Sequence, residues 1–149
     1  MLLNIQDSQK HKKHATFGGE VVKEILTGVT DEDYLKFASD IATYHHERFD
    51  GSGYPNKLKG DEIPLNARIM AIADVFDALI SKRCYKEAIP IEEAFEIIKE
   101  ESGTHFDPRL VDVFLSDKEK YVEIFKLKWN WSGYNISHFL SWQINKKRV

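Results

Sequence analysis

The stretch Asn66–Ser81, NARIMAIADVFDALIS, decides the fold class. It is long enough for about four helical turns and is apolar on almost every side. A helix of this kind belongs inside a bundle, so we expect it to be central and buried on nearly all sides. Asp74 and Asp77 interrupt it three positions apart and therefore share one side. An ionised carboxylate on a buried helix is costly unless it meets a cation or a metal ion.

Further helices are predicted on both sides of this stretch. Their apolar residues recur at helical spacing, over Ser8–Leu26, Asp31–His46, Ile91–Ser102 and Arg109–Leu115. His105 and Asp107 lie just before the last of them and read as a turn and a helix cap. No alternating pattern is long enough for a sheet. The sequence therefore predicts an all-α domain, a compact helical bundle, over residues 1–115. Residues 116–149 are expected to form a helical, aromatic-containing tail whose role the pattern does not give.

The bulk composition restricts the class of partner. The 149 residues carry a net charge of −3 and are 42% hydrophobic and 30% charged, as in a soluble globular protein. Without a broad basic excess, duplex nucleic acid is not expected as a partner. No run of about 18 apolar residues is present, so no membrane segment is expected. Cys84 is the single cysteine, which fits a cytoplasmic location.

Adjacent histidines, His45 and His46, close the second predicted helix. Neighbours on a helix point about 100° apart, so the pair could straddle two metal ions about 3.5–4 Å apart. The alternative is a pair of histidines at a helix C-terminus, where a charged imidazole is favoured. Taken alone, the pair favours this second interpretation.

Two carboxylates and a third histidine are further candidate metal ligands. Asp74 is interpreted as a ligand, and Asp77 as a residue that supports the ligands or the structure. The alternative for both is a buried carboxylate that caps a loop or forms an ion pair with Arg68 or Arg83. His14 lies on the first predicted helix, where a histidine is more often simply exposed. Ligands on separate helices can nevertheless converge in a bundle core to build a site for several metal ions.

A loop and two cations are candidates for binding a phosphate ligand. In Asp50–Pro55, DGSGYP, the glycines allow close backbone approach, and Tyr54 offers a stacking face and a hydroxyl. The alternative is a tight turn with Tyr54 packed on the core. Arg83 and Lys86 follow the central helix and could hold phosphate groups or a guanine edge. Read individually, they favour a solvated basic patch.

Taken together, these segments resemble the HD-GYP family. HHERFDGSGYP, then GDEIPLNARIMAIADVFDALISKRCYK, then GTHFDPRLV have the family's order and spacing over roughly Gln9–Phe114. The resemblance implies a bundle of the HD-domain type with a long GYP loop. It also implies a metal-dependent phosphodiesterase that hydrolyses cyclic di-GMP to pGpG and GMP, using two or three divalent ions, iron or manganese. Residue by residue, it implies metal ligands at His14, His45, His46 and Asp74, and substrate contacts at Gly53, Tyr54, Pro55, Arg83 and Lys86.

One part of the family pattern is missing from this sequence. In the family, the His-Asp dyad and its following lysine lie upstream of the first-helix histidine. Only thirteen residues precede His14, and none of them forms such a pair. We therefore expect the C-terminal part of an HD-GYP domain, weakly active or inactive alone. The alternative is a non-catalytic module that binds a nucleotide or a GGDEF-type protein partner in signalling. A homodimer also stays open.

Overall fold

The computed structural model describes residues 9–82 and 87–129, and within them the side chains of residues 15, 17–82 and 87–125. Six α-helices and one short 3₁₀ turn follow one another in these ranges. They are α1 (Gln9–Ile25), α2 (Glu32–Tyr44), the 3₁₀ turn (Gly60–Glu62), α3 (Leu65–Ile80), α4 (Ile91–Glu100), α5 (Pro108–Ser116) and α6 (Lys118–Trp129). Over the described ranges no strand forms, and one isolated bridge joins Ser102 to Phe106. The predicted all-α fold is confirmed.

A tight helical hairpin is formed by α1 and α2. Asp31 caps α2 through a side-chain oxygen that accepts from the Tyr34 amide at 3.0 Å. Gly28, in the turn between the helices, has a φ of 96°, which a residue with a β-carbon adopts at a cost. The two helices touch where Gly18 and Gly19 face the C-terminal half of α2. The hairpin therefore brings α1 close to the end of α2, where the histidine pair lies.

The core lies between α3 and the helices that follow it. Two clusters of buried side chains share Val75, Phe76, Phe114 and Leu115 along their border. The first cluster contains Ala71, Ile72, Ile98, Phe106 and Val111. The second contains Leu79, Ile80, Ile91, Ala94 and Phe95. Tyr121, Val122 and Phe125 of α6 pack against the second cluster. The helix at the start of the predicted tail is thus attached to the core.

One prediction about α3 is wrong, because the helix is not buried on nearly all sides. Leu65 and Ile69 are 54% and 51% exposed, and Ala73 and Asp77 continue the same exposed row. Residues four apart lie above one another on a helix, so these positions form a single stripe. The helices in the described part of the chain cover the other sides of α3 and leave this stripe open. Apolar composition alone cannot say which side of a helix a neighbour covers.

A cluster of ion pairs joins the 3₁₀ turn, in the loop between α2 and α3, to α3 and α5. Asp107 is 2% exposed and caps α5 by accepting from the Arg109 amide at 3.0 Å, so the predicted helix cap is confirmed. Its carboxylate also accepts from Arg68 at 2.6 Å and from the Arg109 guanidinium at 2.8 Å. Asp61 of the 3₁₀ turn binds the same two arginines. These ion pairs therefore hold in place the part of the loop that lies just before α3.

None of the described helices is both long and apolar enough to cross a membrane.

Candidate functional site

The histidine pair lies at the C-terminal end of α2, and both rings are half-buried. Their ring centroids are 4.0 Å apart and the ring planes are tilted by 41°. His45 Nδ1 lies 2.8 Å from the Ile41 carbonyl oxygen. Because a carbonyl oxygen only accepts, this hydrogen bond needs a proton on Nδ1. In the neutral ring Nε2 is then unprotonated, which is the form that binds metal ions.

The GYP loop folds back onto this pair. The Tyr54 amide donates to the His46 carbonyl oxygen at 3.2 Å, and the two rings stack at a centroid distance of 4.9 Å and an angle of 26°. The Tyr54–Pro55 peptide bond is cis. The structure thus brings the histidine pair and the GYP triplet, two groups of residues predicted separately, together at one place.

Glu47 holds the inner side of the loop, and its role was not predicted from the sequence. The side chain is 2% exposed. One carboxylate oxygen accepts from the Asn56 amide at 2.6 Å and the other from the Leu58 amide at 3.1 Å. Gly53 lies against the same segment, since a β-carbon on it would be 2.6 Å from Glu47 Cα. A charged residue soon after the end of a helix usually lies in solvent. The burial of Glu47 could not be predicted because it depends on the loop folding back over it.

The start of the loop between α2 and α3 is bound to the turn between α4 and α5. Arg48 donates to the Glu101 carboxylate at 2.9 Å, and the Phe49 amide donates to the His105 carbonyl oxygen at 3.1 Å. Burial, and after it the charge of Arg48, lowers the pKa of His105 to about 4. His105 is therefore neutral at pH 7, in agreement with its interpretation as part of a structural turn.

The two carboxylates of α3 have different surroundings. Asp74 is half-buried, and over the residues the structure describes it makes no hydrogen bond or ion pair. Arg68 binds Asp61 and Asp107 instead, so the alternative in which it neutralises Asp74 is not realised. Asp77 is exposed and accepts from the Ser81 hydroxyl at 3.3 Å, a local contact at the end of α3.

The remaining predicted site residues lie outside the described side chains. Arg83 and Lys86 fall between the two described ranges, and for His14 only the helical backbone is described. That backbone is informative, because Gly18 lies opposite Ala42 and Gly19 opposite Thr43. Because the two helices are antiparallel, one turn from Gly18 toward the N-terminus of α1 brings position 14 level with position 46, just after α2.

The donor set fits a divalent metal ion in its chemistry. Imidazole and carboxylate ligands suit iron, manganese and zinc alike. The described side chains do not by themselves group three histidine, cysteine or carboxylate ligands closely enough to hold an ion. The structure therefore brings His45 and His46 together, whereas Asp74 does not join them in a group of three among the described side chains. His14 is the candidate that would complete such a group.

Comparison with known proteins identifies the family of the chain. A family model described as an HD domain matches residues 3–110. The chain belongs to the HD domain family, and its motifs are of the HD-GYP type.

Three similar proteins are named as phosphodiesterases. A probable cyclic di-GMP phosphodiesterase of Vibrio cholerae is 53% identical over 115 residues, which is 76% of this chain and 26% of the relative. A 3'3'-cGAMP-specific phosphodiesterase 2 of the same organism is 40% identical over 82% of this chain and 22% of the relative. A cyclic di-GMP phosphodiesterase of Thermotoga maritima is 37% identical over 84% of this chain and 33% of the relative.

A solved structure has the same fold. The crystal structure of a cyclic GMP-AMP specific phosphodiesterase of V. cholerae superposes with a TM-score of 0.58 and 29% identity, covering 89% of this chain and 28% of that one. The chain spans between about a fifth and a third of the length of these curated relatives.

Proposed function

We propose that this chain provides one side of the metal centre and the substrate platform of a cyclic-dinucleotide phosphodiesterase. The proposed reaction is hydrolysis of cyclic di-GMP to pGpG and then GMP. The observation that carries the proposal is the stacking of Tyr54 on His46, beside a His45 ring that is oriented by the hydrogen bond of its Nδ1 to the Ile41 carbonyl oxygen. The names of the relatives support cyclic di-GMP or 3'3'-cGAMP as the class of substrate.

The proposed metal ligands are His14, His45, His46 and Asp74. The register of α1 against α2, which brings position 14 level with position 46, supports the histidine ligands. Asp74 is half-buried, and the burial of a carboxylate is costly unless a cation or a metal ion compensates for it. Iron or manganese is proposed as the metal from the family resemblance. When bound, two such ions activate water and neutralise the charge of a phosphate.

The proposed substrate contacts are the GYP triplet and two cations. The Tyr54 ring offers a flat face on which a nucleobase can stack, and Gly53 lets the backbone approach closely. Arg83 and Lys86 are proposed to hold phosphate oxygens, Arg83 through two parallel hydrogen bonds. Asp77 is proposed to support the end of α3 that leads to them.

The wider proposals concern the whole protein. Residues 1–115 are proposed as the C-terminal part of an HD-GYP domain, and residues 116–149 as an appended tail. A GGDEF-type protein partner at the GYP loop, a homodimer and a cytoplasmic location are proposed from the resemblance. The non-catalytic alternative has no observation in its favour.

The deciding experiment is a hydrolysis assay with cyclic di-GMP after loading with Mn²⁺ or with Fe²⁺ under anaerobic conditions. It is run on the full chain and on the same chain joined to the upstream HD segment of a relative. We expect pGpG from the joined protein and little or none from the chain alone. His45→Ala should abolish the product, whereas Lys36→Ala, which removes an exposed ion pair of α2, should not. No turnover and no nucleotide binding by the folded, metal-loaded joined protein would contradict the proposal.

A further inference from the structure

We propose that Glu47 is a positioning residue that holds the loop of residues 53–58 against the end of α2. By doing so it sets where the Tyr54 ring lies beside His46. The consequence for nucleotide binding rests on the function proposed above. The positioning itself does not, and it can be measured on the protein without a nucleotide.

The burial of Glu47 is the first argument. Among the buried side chains of the described residues, Glu47 and Asp107 are the charged ones. Asp107 meets two guanidinium groups, whereas both carboxylate oxygens of Glu47 accept backbone amides, from Asn56 and from Leu58. A buried carboxylate is costly unless such bonds compensate for the water it loses. These two hydrogen bonds are therefore what keeps Glu47 buried, and with it the loop in place.

The backbone between those two amides gives the second argument. Lys57 has a φ of 58°, in the left-handed region that residues with a β-carbon seldom adopt. Such a conformation persists only where the surroundings hold it. Because Glu47 binds the amides on both sides of Lys57, its carboxylate occupies a small anion-binding cradle formed by the loop. Glu47 is thus the group that stabilises this turn of the backbone.

The contacts continue from the cradle to the tyrosine ring. Tyr54 lies two residues before Asn56, and its amide is bound to the His46 carbonyl oxygen. Gly53 packs against the backbone of Glu47 itself. A loop released from Glu47 is free to move away from α2 and to carry the Tyr54 ring off its stacked position. Glu47 therefore acts through Tyr54 and does not need to touch a ligand.

The first test is Glu47→Gln, followed by NMR on the folded full chain. Glutamine keeps the shape but loses the charge, and it must turn an NH₂ group toward one of the two amides. We expect amide exchange at Asn56 and Leu58 to accelerate by about ten- to hundredfold, the range for hydrogen bonds to a charged group. The His46 ring resonances should also lose the ring-current shift from Tyr54, which a change in overall stability alone would not cause.

A matched control is Glu62→Gln. Glu62 also accepts a loop amide, that of Lys59 at 2.9 Å, but it is exposed and lies on the far side of the loop. Glu62→Gln should leave amide exchange at Asn56 and Leu58 and the ring resonances of His46 unchanged. Unchanged exchange and unchanged His46 resonances in folded Glu47→Gln would overturn the proposal. If that variant does not fold, Glu47→Asp, which keeps the charge with a shorter reach, takes its place in the same comparison.

The second test measures nucleotide affinity. Cyclic di-GMP is titrated into the Mn²⁺-loaded protein joined to the upstream HD segment, as wild type, Glu47→Gln, Tyr54→Ala and the double variant. If Glu47 acts through Tyr54, its substitution should weaken binding about tenfold or more in the wild type and have almost no effect once Tyr54 is alanine. Fully additive effects would overturn the proposal. A wild type that does not bind cyclic di-GMP would count against the proposed function, while the exchange experiment still decides the role of Glu47.

Discussion

Gly19 of α1 lies directly against Thr43 of α2, with no room for a β-carbon between them. An added β-carbon would overlap the Thr43 hydroxyl oxygen. The neighbouring Gly18 has ordinary space, because its β-carbon would lie 3.8 Å from the Ala42 carbonyl oxygen. Two adjacent glycines therefore differ in function, and the tight one sets the approach of α1 to the histidine pair.

The first prediction compares these two glycines. Gly19→Ala should lower the free energy of unfolding by about 1–3 kcal/mol, the usual cost of overpacking. Gly18→Ala should be neutral or raise it by up to about 1 kcal/mol, because alanine is the better helix former. Urea unfolding followed by circular dichroism measures both. Equal effects of the two substitutions would contradict the close approach of the helices at Gly19.

The second prediction concerns the ion pairs around α5. Asp107→Asn keeps a helix cap but leaves Arg68, whose side chain is 12% exposed, with the exposed Asp61 as its remaining carboxylate. Breaking a buried pair by removing one partner costs about 3–5 kcal/mol, so a large loss of stability is expected. Arg109→Ala is the control and should have little effect, because that side chain is 62% exposed. Similar losses for both would show that the pair with Arg68 is not the important one.

The third prediction is a pH dependence of stability that comes from His105. Its pKa is about 4 in the folded protein against an ordinary histidine pKa of 6.5, mainly because of burial. Between these two pH values the unfolded chain binds more protons than the folded protein. The contribution of His105 to the free energy of unfolding is therefore complete above about pH 6.5 and is lost as the pH falls toward 4. The loss is at most about 3 kcal/mol. Unfolding of wild type and His105→Gln over this range should show a shallower slope in the variant.

The sequence predicted the helices and the motif but not all of the contacts that join them. Helical periodicity is local, so α2, α3 and α5 could be located within one or two residues. The burial of Glu47 could not, because it depends on amides nine and eleven positions further along a loop. The exposed stripe of α3 was missed for a related reason, since the cover over a helix is supplied by distant parts of a chain. The carboxylates that pair with Arg68 could not be predicted either, because the fold brings them together from distant parts of the sequence.

The fourth prediction concerns metal binding by the chain alone. With a partial ligand set, we expect substoichiometric or single-ion binding of Mn²⁺, lost in His45→Ala and in Asp74→Ala. Asp77→Asn is the matched control on the same helix, because Asp77 is exposed and bound locally to Ser81. It should retain the ion. Metal analysis after dialysis measures the stoichiometry. Two ions at full occupancy, unchanged in both ligand variants, would refute the assignment of these residues.

The last prediction separates two neighbouring cations after α3. If Arg83 holds a phosphate, Arg83→Ala should weaken cyclic di-GMP binding by roughly ten- to hundredfold, since a hydrogen bond to a charged group contributes about 1.5–3 kcal/mol. Arg83→Lys should restore this only partly, because a point charge lacks the forked geometry of a guanidinium. Lys82 is the matched control, an exposed cation one position earlier that pairs with Glu87 at 2.9 Å.

Calorimetric titration of the metal-loaded protein joined to an upstream HD segment measures these affinities. Lys82→Ala should bind as the wild type does, apart from a small change that disappears at raised salt, where exposed charges are screened. Arg83→Ala should stay weaker at every salt concentration, since the loss of a directed hydrogen bond is not screened in the same way. If Arg83→Ala and Lys82→Ala bind cyclic di-GMP equally well, Arg83 belongs to a solvated basic patch, the alternative that its sequence context favours when it is read alone.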